Sequence, residues 1–92
     1  MKKEMTNINK SKVILETEFE DSLKEGNFSV RIIKHDNNIV FGECVEAKIE
    51  HDTEPELSIN ETYQPGKFPE DLYRDLVFRG WDFVLAEIKE RL

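Results

Sequence analysis

The sequence predicts an α+β fold: a four-stranded antiparallel β-meander packed on one face by a C-terminal α-helix, making a two-layer sandwich. Three observations lead there. Between Val13 and Tyr63 apolar and polar residues alternate with period 2, as half-buried strands do. Turn-forming clusters (Lys24-Glu25-Gly26-Asn27, Asp36-Asn37-Asn38 and the run from His51 to Glu56) divide that stretch into four segments. From Pro69 onward the apolar spacing changes to 3–4 residues, which is helical. Strands adjacent in sequence usually pair, so the order 1-2-3-4 is the simplest sheet.

The first strand runs from Val13 to Glu20. It puts Val13, Leu15, Thr17 and Phe19 on one face and Ile14, Glu16, Glu18 and Glu20 on the other. Phe28 to Ile32 alternates again, a third strand extends from Ile39 to about Glu50, and Leu57 to Tyr63 supplies the fourth. With Asn37-Asn38 as a two-residue hairpin loop, Ile32 faces Glu43, Val30 faces Val45 and Phe28 faces Ala47. One hairpin face then gathers Phe28, Val30, Ile32, Phe41, Val45, Ala47 and Ile49, interrupted by Lys34 and Glu43. Glu43 is expected at the rim of the sheet or paired with Lys34.

Pro69 suits a first helical position. Glu70 and Asp71 complement the positive end of the helix dipole, and Lys89 and Arg91 the negative end. Tyr73, Val77, Trp81, Val84, Ile88 and Leu92 form one apolar stripe, leaving Leu72, Leu76, Phe78 and Phe83 off it. Gly80 costs about 1 kcal/mol relative to alanine inside a helix. It kinks the helix, admits close approach to the sheet, or separates two helices; one helix, bent there, is the expectation. Apolar residues on a second helix face point to a homodimer contact.

Ninety-two residues fit a single domain, with residues 1–10 as a frayed basic tail and 11–92 as the folded unit. Thirteen basic residues against 20 acidic ones give a net charge of −7. The distribution is uneven: +3 over residues 1–12, −9 over 13–66 and −1 over 67–92. That balance argues against direct binding of a nucleic-acid backbone. One cysteine excludes an internal disulfide and a cysteine-built zinc site. The longest apolar run, Phe83-Val84-Leu85-Ala86, falls far short of the roughly 20 residues of a membrane span. No apolar stretch follows the basic N-terminus, so a cytoplasmic protein with no membrane contact is expected.

Catalytic chemistry has few carriers. In the expected register Cys44 opposes Arg31 and His35 opposes Val40, roughly 13 Å apart along the sheet, too far for a cysteine–histidine pair. His35 and His51 are read as surface histidines. The stretch from His51 to Glu56 alternates oxygen ligands but lacks the central glycine and final glutamate of a calcium loop, and reads as a solvated acidic turn. With no glycine-rich phosphate loop either, the sequence points to a non-enzymatic protein that uses no metal or cofactor.

Glu16, Glu18 and Glu20 share an outer sheet face with Glu46 and Glu50, with Arg31 and Ile33 among them and Ile14, Ile33 and Val40 as an apolar centre. Such a stripe is either a solvated face that guards an edge strand or a surface that steers a basic partner onto the sheet. The functional expectation is an inhibitor or antidote that occupies a basic, nucleic-acid-type site on a partner protein. Two alternatives stand beside it: a small-molecule binder using the sheet face or a dimer cleft, and an accessory subunit docking through its apolar helix edge.

Overall fold

The computed structural model describes residues 11–38, 40 and 42–92. The expected basic tail, residues 1–10, lies outside the described residues, as do Ile39 and Phe41. The alternating segments form β1 (Ser11–Glu20), β2 (Asn27–Asn38), β3 (Gly42–His51) and β4 (Ile59–Tyr63), an antiparallel sheet in the order β1-β2-β3-β4. Short 3₁₀ turns at Pro55–Leu57 and Pro65–Lys67 flank β4. Two helices follow, α1 (Glu70–Phe78) and α2 (Asp82–Arg91). The α+β class and the meander are as the sequence predicts.

Alternation builds the core. Phe28, Val30 and Ile32 of β2 and Val45, Ala47 and Ile49 of β3 face inward, joined by Phe19, Ile59 and Tyr63. Against them pack Leu72 and Leu76 from α1 and Val84 and Ile88 from α2, all buried. Each such aliphatic side chain contributes about 1.5–3 kcal/mol. Polar contacts also fasten the layers. The Tyr63 hydroxyl donates to Asp75 Oδ2 at 2.7 Å; burial first, then this bond, pushes the phenol well above its ordinary range. Arg91 Nε donates to Thr17 Oγ1 at 3.0 Å, with its guanidinium 5.4 Å from the centre of the Phe19 ring.

The single bent helix is corrected to two. Gly80 has φ 77, the left-handed region that closes a helix at little cost to glycine. Its N–H reaches Val77 O at 3.0 Å, and the Trp81 N–H reaches Leu76 O at 2.8 Å, the paired bonds of a Schellman end. The break also re-phases the apolar face. Leu72 and Leu76 are buried, whereas Val77 and Phe78 are exposed, so the buried face of α1 lies one residue away from the expected stripe through Tyr73 and Val77. Burial of Leu72 and Leu76 removes two of the four residues on which a homodimer contact is expected.

The hairpin register is corrected as well. β2 runs on through Asn38, which pairs with Gly42, and Ile32 faces Ala47, Val30 faces Ile49 and Phe28 faces His51. This differs from the expected pairing by four residues. An even slip leaves every side chain on its expected face, so alternation alone could not detect it. Glu43 is exposed, at the rim. In β1 the register shifts between Val13 and Leu15, and Ile14 is the extra residue. Val13 therefore crosses to the glutamate face and lies opposite Ile33, in the place expected for Ile14. Val40 is exposed in the turn, away from Ile33.

Candidate functional site

At one end of the sheet, the β1–β2 and β3–β4 connections lie side by side. Two inward-pointing polar residues hold them together. Asp21 continues the inward parity of Phe19, and His51 that of Ile49. His51, expected on the surface, has a fully buried side chain (0% exposed), and Asp21 is 4% exposed. His51 Nδ1 accepts the backbone N–H groups of Thr53 at 3.2 Å and Glu54 at 3.1 Å. The hydrogen-bond network thus assigns the ring proton to Nε2, which donates to Asp21 Oδ2 at 3.1 Å. The Phe28 ring stands edge-on to the imidazole, with centroids 4.8 Å apart.

Asp21 completes the arrangement on its other oxygen. Oδ1 accepts the N–H of Leu23 at 2.9 Å and of Lys24 at 3.2 Å. Burial alone would raise this carboxyl's pKa, but the two N–H bonds and His51 outweigh it and hold the group below its ordinary range. Further bonds cross between the turns. Asp52 Oδ1 accepts the Asn27 N–H at 2.9 Å, Thr53 Oγ1 donates to Glu25 O at 3.2 Å, and Lys24 Nζ meets Glu54 Oε1 at 3.0 Å. The Asn27 N–H foremost lowers the Asp52 pKa, and the Lys24 ammonium that of Glu54. Gly26 makes the close approach possible. It sits at φ +117, and a Cβ there would lie 2.4 Å from His51 Cε1. Glu20, Glu25, Glu50, Asp52, Glu54 and Glu56 are thereby carried to one end of the sheet by two interlocked turns.

An apolar groove of about 310 Å³ opens beside these turns. Phe28 and Val84 floor it, and Trp81, Phe83, Leu57 and Leu23 wall it, with Asp21, Lys24 and Asp82 also in its lining. Leu23 stands 83% exposed on a turn whose backbone is fixed by Asp21. Sequence reasoning missed this groove because it forms only after Gly80 separates the helices and swings Trp81 and Phe83 toward Phe28. The ring centroids of Phe28 and Trp81 are 6.1 Å apart.

The sequence-predicted site residues divide into cross-strand rows on the outer sheet face. Glu16, Arg31, Lys48 and Asn60 form one row; Glu18, Ser29 and Glu50 form the next. All of these but Asn60, with Thr17 and Val30, line a shallow depression of about 460 Å³. Arg31 and Lys48 are part of its lining, and Glu16 Oε2 lies 3.6 Å from Arg31 Nε, so the mid-sheet is not uniformly acidic. Glu46 pairs with Ile33 one row further along, and Glu20 with Asn27 at the loop end.

At the opposite end of the sheet, the expected separation of Cys44 from His35 is overturned. The two are direct cross-strand partners, brought together by the four-residue register difference. His35 Nε2 lies 3.0 Å from Glu46 Oε1, and Ser11 Oγ lies 3.0 Å from His35 Nδ1. Burial, then the charge of Glu46, pushes the Cys44 thiol up, so it remains a thiol and a poor nucleophile at neutral pH. Among the described residues no group of three or more potential ligands is placed to hold a metal ion. Nor is any described helix long and apolar enough to cross a membrane. No protein-family model, curated protein or solved structure matches the chain.

Proposed function

We propose that this protein is a non-enzymatic acidic binding module that docks onto a basic surface of a partner protein, in the manner of an inhibitor or antidote covering a nucleic-acid-type site. The observation that supports this most is the interlocking of two acidic turns by the buried His51–Asp21 pair. Like charges brought together repel, and a chain gains nothing in stability by concentrating them. Fixed carboxylates gain instead in association, because a preorganised field steers a cationic partner without an ordering cost at docking. The carboxylates of Glu16, Glu18, Glu20, Glu46 and Glu50 extend the same field over the outer face, with Arg31 and Lys48 as a local counterweight.

Affinity capture from a native extract at low and high salt tests the reading. The expected result is a basic protein retained at low salt, released at high salt, and retained less by a variant with Glu25, Glu54 and Glu56 replaced by glutamine. Retention that is indifferent to both salt and the substitutions would contradict it.

A further inference from the structure

The apolar groove beside the acidic turns has a composition that identifies what fits it. Its walls are the Trp81 and Phe83 rings and the aliphatic side chains of Leu57 and Leu23. Its lining also carries the carboxylates of Asp82, at the start of α2, and Asp21, together with Lys24, whose ammonium is held by Glu54; along the chain Glu56 adjoins Leu57 and Glu25 follows Leu23 by two residues. The nearby cations are engaged with the protein itself: Lys24 with Glu54, and Arg79 over the Trp81 ring at 5.7 Å. An apolar slot framed by carboxylates complements an apolar side chain carried between basic residues. It repels an acidic segment and an anionic lipid surface.

Leu23 adds a second argument. An exposed leucine on a loose loop would fold over nearby apolar surface. Here Asp21 binds the backbone N–H of both Leu23 and Lys24, and His51 binds Asp21 from beneath, so the turn holds the side chain outward at the groove's lip. An exposed apolar residue held beside a preformed aromatic pocket marks an interaction surface, and the tryptophan in that pocket is of the type that anchors binding.

From this geometry we infer that the groove is the anchor pocket of the docking surface, taking one aromatic or long aliphatic side chain from a basic segment of the partner protein. The inference rests on the acidic docking function proposed above and adds where the partner is gripped.

Trp81 is the sole tryptophan and lines the groove, so its fluorescence reports occupancy. The probes are three short peptides of equal length: one phenylalanine flanked by lysines, lysine alone, and one phenylalanine flanked by glutamates. The lysine-flanked phenylalanine is expected to shift Trp81 emission and to bind about tenfold more tightly than lysine alone, the worth of burying one aromatic side chain in part. Leu23→Asn, at an exposed position, should keep the thermal midpoint and the lysine-peptide affinity while erasing that tenfold difference. Equal affinities for the two lysine peptides would overturn the anchor pocket and leave the acidic docking function standing. Equal binding of the glutamate-flanked peptide would overturn the commitment to a basic segment. Failure of both lysine peptides to bind at low salt would bring down the docking function and the anchor pocket together.

Discussion

The two histidines sit at opposite ends of the same sheet, each within hydrogen-bond distance of one carboxylate: His35 of Glu46 at 3.0 Å, His51 of Asp21 at 3.1 Å. Distance alone would rank them equal. Their surroundings do not. The His35–Glu46 pair is partly open to water, at 15% and 25% side-chain exposure, and the remaining ring nitrogen meets the exposed Ser11 hydroxyl. His51 is sealed, and its second nitrogen binds two backbone N–H groups that would otherwise be orphaned in the turn. The first pair exchanges protein contacts for water contacts at nearly equal free energy. Removing a member of the second leaves buried polar groups with no replacement partner. One end of the sheet is thus a surface contact, and the other a fastening on which two turns depend.

The largest expected effect comes from crowding that fastening. Gly26→Ala combines a φ of +117 with a methyl group 2.4 Å from His51 Cε1, and should cost about 4 kcal/mol in chemical denaturation. His51→Ala follows at about 3 kcal/mol, against less than about 1 kcal/mol for His35→Ala. Similar losses for the two histidines would erase the distinction between the ends.

Acid pH separates the ends without substitution. The folded Asp21 carboxyl is held below the ordinary range of an aspartate, so the unfolded chain takes up that proton first. The stabilisation is complete above pH of about 4 and is lost as pH falls through the lower folded value. Asp52 and Glu54, also lowered, act in the same direction. Denaturation midpoints measured across this window should fall with pH, and Asp21→Asn should flatten the slope even as it lowers stability at neutral pH.

The smallest effect is expected on the open outer face. Replacing Glu16, Glu18 and Glu20 together by glutamine should change stability by about 1 kcal/mol or less, because these side chains are exposed. A loss of several kcal/mol in thermal unfolding would show that the face is structural.

Much of this architecture is legible in the sequence, and the omissions have specific causes. Period-2 alternation separates inside from outside correctly for Phe28, Val30, Ile32, Val45, Ala47 and Ile49. The same parity extended by one step points Asp21 and His51 inward, but their polarity and turn-rich neighbours carry the opposite signal. Alternation is blind to an even register slip, which is how Cys44 and His35 were expected apart and are found opposite one another. Nor does it foresee a bulge, so Val13 and Ile14 exchanged roles. The helical stripe failed across Gly80 because a left-handed residue resets the phase. That reset moves Leu72 and Leu76 into the core and makes the groove at Trp81, neither of which a single-period reading can produce.

The fastening itself is read most directly in the imidazole of His51. Nitrogen NMR shifts at neutral pH should show Nδ1 as an unprotonated, acceptor nitrogen and Nε2 as a protonated one, with a slowly exchanging Nε2 proton coupled to a single tautomer. His35, open to water, should exchange its ring protons quickly. A His51 ring that averages between tautomers and exchanges as fast as His35 would contradict the claim that this buried pair locks the two acidic turns together.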